Sequence, residues 1–202
     1  MVQKIDHLKE SPSQTAGPYV HIGCVPNFCG LSGVYPADPG AVMTNDATKG
    51  ERISVTGCVY DGVGAELRDV LIEIWQADAD GIYPGNDPRG PADPNFTGWG
   101  RQAGDYGTGE WTFQTIRPGP VPFPDGRLQA PHITFWVVAR GINTGLHTRM
   151  YFPDVDTAAD PVLSRIEHKA RIPTLIASET GPNAFRFDVH LQGDQETVFF
   201  DM

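Results

Sequence analysis

The stretch PHITFWVVAR, residues 131–140, is rich in β-branched and aromatic residues and predicts a β-strand. In a strand, side chains at positions i and i+2 point to the same face, so His132 and Thr134 project together while Ile133 points away. Two histidines at these positions would offer two imidazoles to one metal ion. This chain offers one imidazole and one neutral hydroxyl, which is half of such a site.

Similar runs of alternating apolar and β-branched residues occur on both sides of this stretch. They are RISVTGCVYD (52–61), DVLIEIWQAD (69–78), EWTFQTI (110–116), TRMYF (148–152), FRFDVHLQG (185–193) and TVFF (197–200). The first two flank a Gly-Val-Gly turn at 62–64, and we expect them to pair. Several short strands separated by turn residues predict an all-β fold, an antiparallel β-sandwich.

The chain divides into two parts. Residues 1–50 are rich in proline and glycine without a sustained period, and predict an extended N-terminal arm. Residues 51–202 form the predicted sandwich domain. Within it, residues 83–109 are expected to be a long loop. A short helical segment is predicted over residues 160–177, with Asp160 as its N-cap.

The composition limits the possible partners. Fifteen Lys and Arg residues against 25 Asp and Glu give a net charge of −10, which opposes binding to nucleic acid and to anionic membrane surfaces. No apolar run is long enough to span a bilayer, and the N-terminus lacks the apolar core of a signal peptide, so we expect a cytoplasmic protein. Three cysteines without C-x-x-C spacing indicate reduced thiols, with Cys24 and Cys29 as a weak redox pair at most; Cys58 is the third.

Tyr83, His132 and Arg140 are the residues that suggest chemistry. Tyrosinate is a hard oxygen donor that suits trivalent iron, and imidazole can complete such a site. A single tyrosine and a single strand histidine are, however, more often packed and hydrogen-bonded than ligating. Taken alone, these residues favour a structural role.

An ordered series of motifs covers nearly the whole chain. They are TAGPYVHIG (15–23), IWQADADGIYP (74–84), DPNFTGWGR (93–101), TIRPGPVPF (115–123), QAPHITF (129–135), ARGIN (139–143), HTRMYF (147–152) and FRFDV (185–189). In these motifs the chain resembles the intradiol ring-cleaving catechol dioxygenases, and within them the alpha chains of two-chain enzymes that act on protocatechuate. The resemblance implies a β-sandwich and an iron(III)-dependent enzyme.

The resemblance also implies which positions would hold iron. The two tyrosinates and two histidines of the family's iron-bearing chains fall on Tyr83, Val121, His132 and Thr134, and a catalytic arginine falls on Gln129. Valine has no donor atom, and a threonine hydroxyl is a weak ligand for trivalent iron. We therefore expect no metal in this chain, in which these four are vestigial ligand positions, and no catalytic residue of its own.

The role that the resemblance implies for this chain is to bind substrate at a neighbour's site. A partner beta chain would hold the Fe(III), and this chain would supply part of the substrate wall from Thr15, Gly17, Pro18, Tyr19 and Arg140. Arg140 would place a permanent positive charge near the substrate carboxylate. The alternatives are that the 15–19 segment only docks the arm and that Arg140 forms an interchain ion pair.

The expected reaction is intradiol cleavage of protocatechuate with O2 to 3-carboxy-cis,cis-muconate, and it requires the beta chain. Two alternatives remain open: a self-sufficient iron dioxygenase that uses Tyr106 or His147 as a further ligand, and a non-catalytic ligand-binding or scaffold subunit. Some other residues are expected to have only structural or interface roles. These are Trp75 and Trp99 in the core, Arg101 as a loop anchor, His147 and Arg149, and Phe199 and Phe200 under a partner chain.

Overall fold

The computed structural model describes residues 15–201, and these form two packed β-sheets with short helices. The strands are β1 Arg52–Gly57, β2 Val59–Tyr60, β3 Leu71–Trp75, β4 Trp99–Ala103, β5 Trp111–Ile116, β6 Val121–Pro122, β7 Leu128–Gln129, β8 His132–Val138, β9 Leu146–Tyr151, β10 Ser178–Gly181, β11 Ala184–Arg186 and β12 Val189–His190. The helices are an α-helix, α1, at Pro18–Cys24, and two 3-10 segments at Leu163–Arg165 and Lys169–Leu175. The all-β prediction is confirmed.

Each main sheet has four strands. One has the order β10-β11-β1-β5 and the other β4-β3-β8-β9, while β12-β2 and β6-β7 form two-stranded ribbons. Most neighbours are antiparallel, but β1 runs parallel to β11, and β12 parallel to β2. The core lies between the main sheets, where the Trp111 and Phe135 rings pack at a tilted angle with their centroids 5.4 Å apart. Burial of such side chains stabilises the fold by about 1.5–3 kcal/mol each.

The predicted pairing of the first two runs is wrong. β1 pairs with β5 and β11, whereas β3 pairs with β4 and β8 in the opposite sheet. Each run is apolar enough to be a central strand, and a central strand needs two neighbours of its own. The connection between them therefore crosses from one sheet to the other instead of closing a hairpin.

The predicted loop 83–109 contains a strand that the sequence did not indicate. β4 forms the edge of its sheet beside β3, although Gly100 interrupts its apolar pattern. A Cβ at Gly100 would lie 2.6 Å from the Met43 sulfur and 3.1 Å from the Phe113 ring, so this position requires glycine. The close approach of the sheets explains why residue 100 is glycine. Because this glycine interrupts the apolar pattern, it also explains why the strand was not predicted.

The last predicted run, TVFF, is not a strand. Thr197 donates its backbone N–H to the His190 carbonyl, Val198 donates to the Thr174 hydroxyl, and Phe200 forms one isolated bridge with His147. These partners lie on three separate segments, so no regular ladder can form. The half-buried Phe199 and Phe200 rings pack on this chain's own core, which leaves less surface for a partner to cover than we expected.

The predicted extended arm contains α1. Pro18 sits at the start of this helix, where its fixed φ suits the first turn and its missing N–H costs nothing. His21 is buried with its Nε2 3.3 Å from the Val70 carbonyl oxygen, and Arg101 bonds both Glu73 and the Cys24 carbonyl. These contacts attach the helix to the sheet at β3 and β4.

The segment 160–177 is helical, but it is not one continuous helix. The Asp160 carboxylate accepts the N–H groups of Val162 and Leu163, as expected of a cap. Two 3-10 turns follow, and Pro173 lies inside the second, where it cannot donate a helical hydrogen bond. No helix among residues 15–201 is long and apolar enough to cross a membrane.

Candidate functional site

Two of the four vestigial ligand positions meet in the structure. His132 begins β8, and its Nε2 lies 3.4 Å from the Tyr83 hydroxyl oxygen. Val121 is buried on β6 opposite Gln129 of β7, and Thr134 lies between Trp75 and Arg149 on the neighbouring strands. One phenol and one imidazole are therefore in contact, and we call the surroundings of this pair the Tyr83–His132 pocket.

The loop that carries Tyr83 is fixed by a buried carboxylate. Asp78 is 3% exposed; its Oδ1 accepts the N–H groups of Asp80 and Ile82, and its Oδ2 accepts that of Asp93. Gly81 has a φ of +77°, and a Cβ there would collide with the Pro120 carbonyl oxygen. This close approach brings the Tyr83 loop against the proline-rich segment that contains Val121.

His132 is a neutral imidazole. Its Nδ1 lies 2.8 Å from the Ala130 carbonyl oxygen, which can only accept, so Nδ1 carries the proton and Nε2 accepts from the Tyr83 hydroxyl. Burial, helped by the positive charge of Arg149, lowers the pKa of His132 to about 4. The Asp160 carboxylate fixes Ala130 by accepting its N–H at 2.8 Å.

The phenols of the pocket are protonated. Burial raises the pKa of Tyr83 above its usual value, and the charges of Arg149 and Arg89 oppose this rise only partly. Burial likewise raises the pKa of Tyr151, whose ring lies 5.7 Å from that of His132, to about 12. Neither phenol is a tyrosinate at neutral pH.

These residues do not fit Fe(III). The donor set is one phenol, one imidazole and a threonine hydroxyl, so even a Tyr83 deprotonated by the metal would set only one negative charge against a charge of +3. Among residues 15–201 no group of three or more His, Cys, Asp or Glu side chains could hold a metal ion. Arg149 supplies a positive charge at the same place, which further opposes a cation.

The alternative ligands Tyr106 and His147 do not complete this donor set. The Tyr106 hydroxyl lies 3.5 Å from the Cys29 sulfur, at the arm. His147 is on β9, and the β9 residue opposite His132 is Tyr151, four positions further along. At the rise of a strand this is a separation of about 13 Å, which is too far for His147 and His132 to share an ion.

A second pocket, of about 420 Å³, lies between the arm and the sheet. It is lined by Ala16, Gly17, Pro18, His21, Ile22, Cys29, Asp69, Tyr106 and Arg140. Three of the five predicted substrate-wall residues, Gly17, Pro18 and Arg140, thus come together, and we call this the arm pocket. The sequence reasoning missed Asp69, whose Oδ2 lies 3.2 Å from the Arg140 Nε and which carries no motif of its own.

The two remaining predicted residues lie beside the arm pocket. The Thr15 hydroxyl accepts the Gly141 N–H at 2.6 Å, so it docks the arm next to Arg140. Tyr19 is 85% exposed and points away from this chain. The three cysteines are free thiols, with Cys24 and Cys29 half-buried and Cys58 buried.

The tryptophans predicted for the core lie instead on the outer face of the second sheet. Trp75 is 48% exposed and borders an open groove with Glu73, Thr134, Trp136 and His147. Trp99 is half-buried, with its Nε1 donating to Glu73. Both residues lie on alternate strand positions that face away from the core, and the apolar character of tryptophan alone does not distinguish the two faces.

Comparisons with known proteins place this geometry among dioxygenases. A family model described as dioxygenase matches residues 26–193. The protocatechuate 3,4-dioxygenase alpha chain of Pseudomonas putida is 45% identical, over 98% of this chain and 98% of that one. The beta chain of the Burkholderia cepacia enzyme is 34% identical, over 81% and 78%. The dioxygenase domain of a carbohydrate-binding fusion from Streptomyces sp. SirexAA-E shares the fold, with a TM-score of 0.54, 22% identity and coverage of 93% and 100%.

Proposed function

Because the chain belongs to the intradiol ring-cleaving dioxygenase family, whose enzymes depend on iron, we propose that it is the alpha subunit of a protocatechuate 3,4-dioxygenase whose beta chain holds the Fe(III). The observation that carries this proposal is the contrast between its two pockets. The Tyr83–His132 pocket lacks the donors that iron needs, whereas the arm pocket presents an exposed arginine beside a glycine and a proline. The chain is thus built to bind substrate for a site that it does not itself complete.

Arg140 would bind the substrate carboxylate. Its side chain is 78% exposed, and Asp69 contacts the guanidinium through Nε, which leaves the two terminal nitrogens free to face a carboxylate as a fork. With a net charge of −10, the protein repels anions in general, so a local cation is needed to draw one in.

The arm would form the rest of the substrate wall. Gly17 is in an extended conformation with nothing within 4 Å of a Cβ position, so an aromatic ring could approach its backbone closely. Pro18 fixes the backbone that follows, and the exposed Tyr19 offers a ring and a hydroxyl to substrate or partner. Thr15 would act by positioning, since its hydroxyl already binds the Gly141 N–H.

The proposed reaction is the cleavage of protocatechuate with O2 to 3-carboxy-cis,cis-muconate. The chemistry supplied by the partner's iron is Lewis-acid activation of the bound catechol. The residues of this chain bind the carboxylate, orient the ring and exclude water from one side of it.

The test is kinetic and uses the two-chain enzyme. Arg140→Ala should raise the KM for protocatechuate by about 10–100-fold, the range expected for a lost charge-assisted contact, with a smaller change in kcat. Arg127→Ala removes another exposed arginine, whose ion pair within residues 15–201 is with Asp125 in its own turn, and should change neither value. Catechol, which has no carboxylate, should be cleaved equally by the wild type and Arg140→Ala.

Two results would contradict the proposal. An unchanged KM for protocatechuate in Arg140→Ala would remove the substrate contact and favour a scaffold role. Cleavage of protocatechuate by this chain alone with added iron would show that it does not need a beta chain.

A further inference from the structure

The charged end of Arg149 lies close to Tyr83 and His132, near enough to act on the ionisation of both. It lies on β9 directly opposite Thr134, and its Nη1 donates a hydrogen bond of 2.8 Å to the Gln129 Oε1. From this position its positive charge adds to the lowering of the His132 pKa by burial, and it partly opposes the rise that burial causes in the pKa of Tyr83. The guanidinium thus lies on the same side of the sheet as Thr134 and His132, beside the positions that a metal would need.

No carboxylate neutralises this guanidinium within residues 15–201. The ion pairs there involve Arg89, Arg101, Arg117, Arg127, Arg140, Arg171 and Arg186, but not Arg149. Arg149 is half-buried, and the partner that fixes it is a neutral amide oxygen. Because a guanidinium is a permanent cation, the pocket carries a positive charge without an ion-pair partner. The Asp160 carboxylate, which also acts on His132, is bound instead by the N–H groups of Ala130, Val162 and Leu163.

We propose that Arg149 is the resident cation of the Tyr83–His132 pocket, held there by Gln129, and that it excludes metal ions even when a missing ligand is restored. The lost ligands alone would leave a weak metal site. A fixed positive charge beside them makes the site repulsive, because solvent screens charges poorly when they are partly buried. The proposal is independent of the proposed function, since it concerns only the affinity of this chain for metal.

The test restores one ligand and then removes the charge. Thr134→His places a second imidazole on the His132 face of β8, at a half-buried position beside an open groove that can accept it. Zn²⁺ is bound readily by neutral imidazoles, so two histidines on one strand face form a site that it can occupy. Its binding to the full chain would be measured by calorimetry for Thr134→His alone and combined with Arg149→Gln or Arg149→Met.

Both double variants should bind one Zn²⁺ per chain at least 10-fold more tightly than Thr134→His. The control Thr134→His with Arg127→Gln removes the same unit of charge from an exposed turn and should bind like Thr134→His alone. Circular dichroism would show that each variant is folded. Because one replacement of Arg149 is polar and the other apolar, the same gain in affinity from both would come from the lost charge and not from a change in local packing. The proposal would be overturned if neither replacement of Arg149 raised the Zn²⁺ affinity above that of Thr134→His alone.

Discussion

At the scale of single residues, His132 shows how an imidazole is kept neutral without a metal. The Ala130 carbonyl accepts a hydrogen bond from Nδ1 and so fixes the proton there, while the Tyr83 hydroxyl donates to Nε2. Burial disfavours the charged ring. Both ring nitrogens are hydrogen-bonded in the neutral form, and protonation of Nε2 would require the Tyr83 hydroxyl to turn from donor to acceptor as well as placing a charge in a buried site. The folded protein therefore resists protonation of this histidine.

This resistance predicts a loss of stability in mild acid. The pKa of His132 is about 4 in the folded chain and 6.5 in an unfolded one, so the unfolded chain takes up the proton first as the pH falls. The free energy of unfolding should drop by about 2 kcal/mol between pH 7 and pH 5, and by about 3 kcal/mol once the pH reaches 4. Urea unfolding of the full chain at these pH values measures the change.

His132→Gln is the control for this prediction, because its amide does not titrate. Most carboxylates remain ionised at pH 5, so the variant should lose much less stability than the wild type between pH 7 and pH 5. An equal loss in both proteins would mean that other groups cause the acid sensitivity.

The sequence could indicate Tyr83 and His132 but not the positive charge of Arg149 near them. Their positions follow from motifs that are continuous in the chain. The Arg149–Gln129 contact joins two residues 20 positions apart on different strands, and neither has a local signature. Which of several arginines faces the pocket depends on strand register, and register is set by packing of the whole sheet.

At the scale of secondary-structure elements, the strands that the sequence predicted are those with continuous apolar faces, such as β3, β5 and β8. The missed elements are short or rely on glycine. β4 is broken by Gly100, and α1 has only seven residues, too few for a periodic pattern. Local pattern therefore identifies the centre of each sheet better than its edges, where the loops that form the two pockets begin.

The turn that carries Tyr83 gives a prediction at this scale. Asp78→Asn replaces one of two accepting oxygens by an NH₂ group, which cannot accept the N–H groups that the buried carboxylate now binds. The free energy of unfolding should fall by about 1–3 kcal/mol, the cost of leaving a buried donor unsatisfied. Urea unfolding at neutral pH measures this loss.

Asp80→Asn is the matched control. It makes the same chemical change two residues away at an exposed position, and it should alter stability by less than about 0.5 kcal/mol. If both variants were equally stable, the Asp78 carboxylate would not be what holds the turn.

At the scale of the whole molecule, both pockets lie along the outer face of one sheet, β4-β3-β8-β9. Helix α1 packs at the Leu71 and Val138 end of this face, and the Tyr83 loop covers the His132 end. Through resemblance, motif by motif, the sequence predicted the family, the Tyr83–His132 pair and three of the nine residues that line the arm pocket. It could not predict that Asp69 and Tyr106 join Arg140, because loops far apart in the chain meet there only after the sandwich has formed.

The proposed division of labour between two chains, with the iron in the beta chain, predicts how metal affects stability. An ion that binds only the folded chain raises its free energy of unfolding by about 2.7 kcal/mol at 100 times the dissociation constant. Since the donors around His132 do not fit Fe(III), added Fe(III) or a chelator should leave the thermal unfolding midpoint of this chain, measured alone, unchanged within error. Ca²⁺ at matched ionic strength controls for non-specific binding to a protein with a net charge of −10.

The two-chain enzyme should behave differently, because removal of its iron would abolish protocatechuate cleavage and lower the unfolding midpoint of the beta chain only. A rise in the midpoint of this chain with Fe(III), but not with Ca²⁺, would place an iron site within it and refute the division.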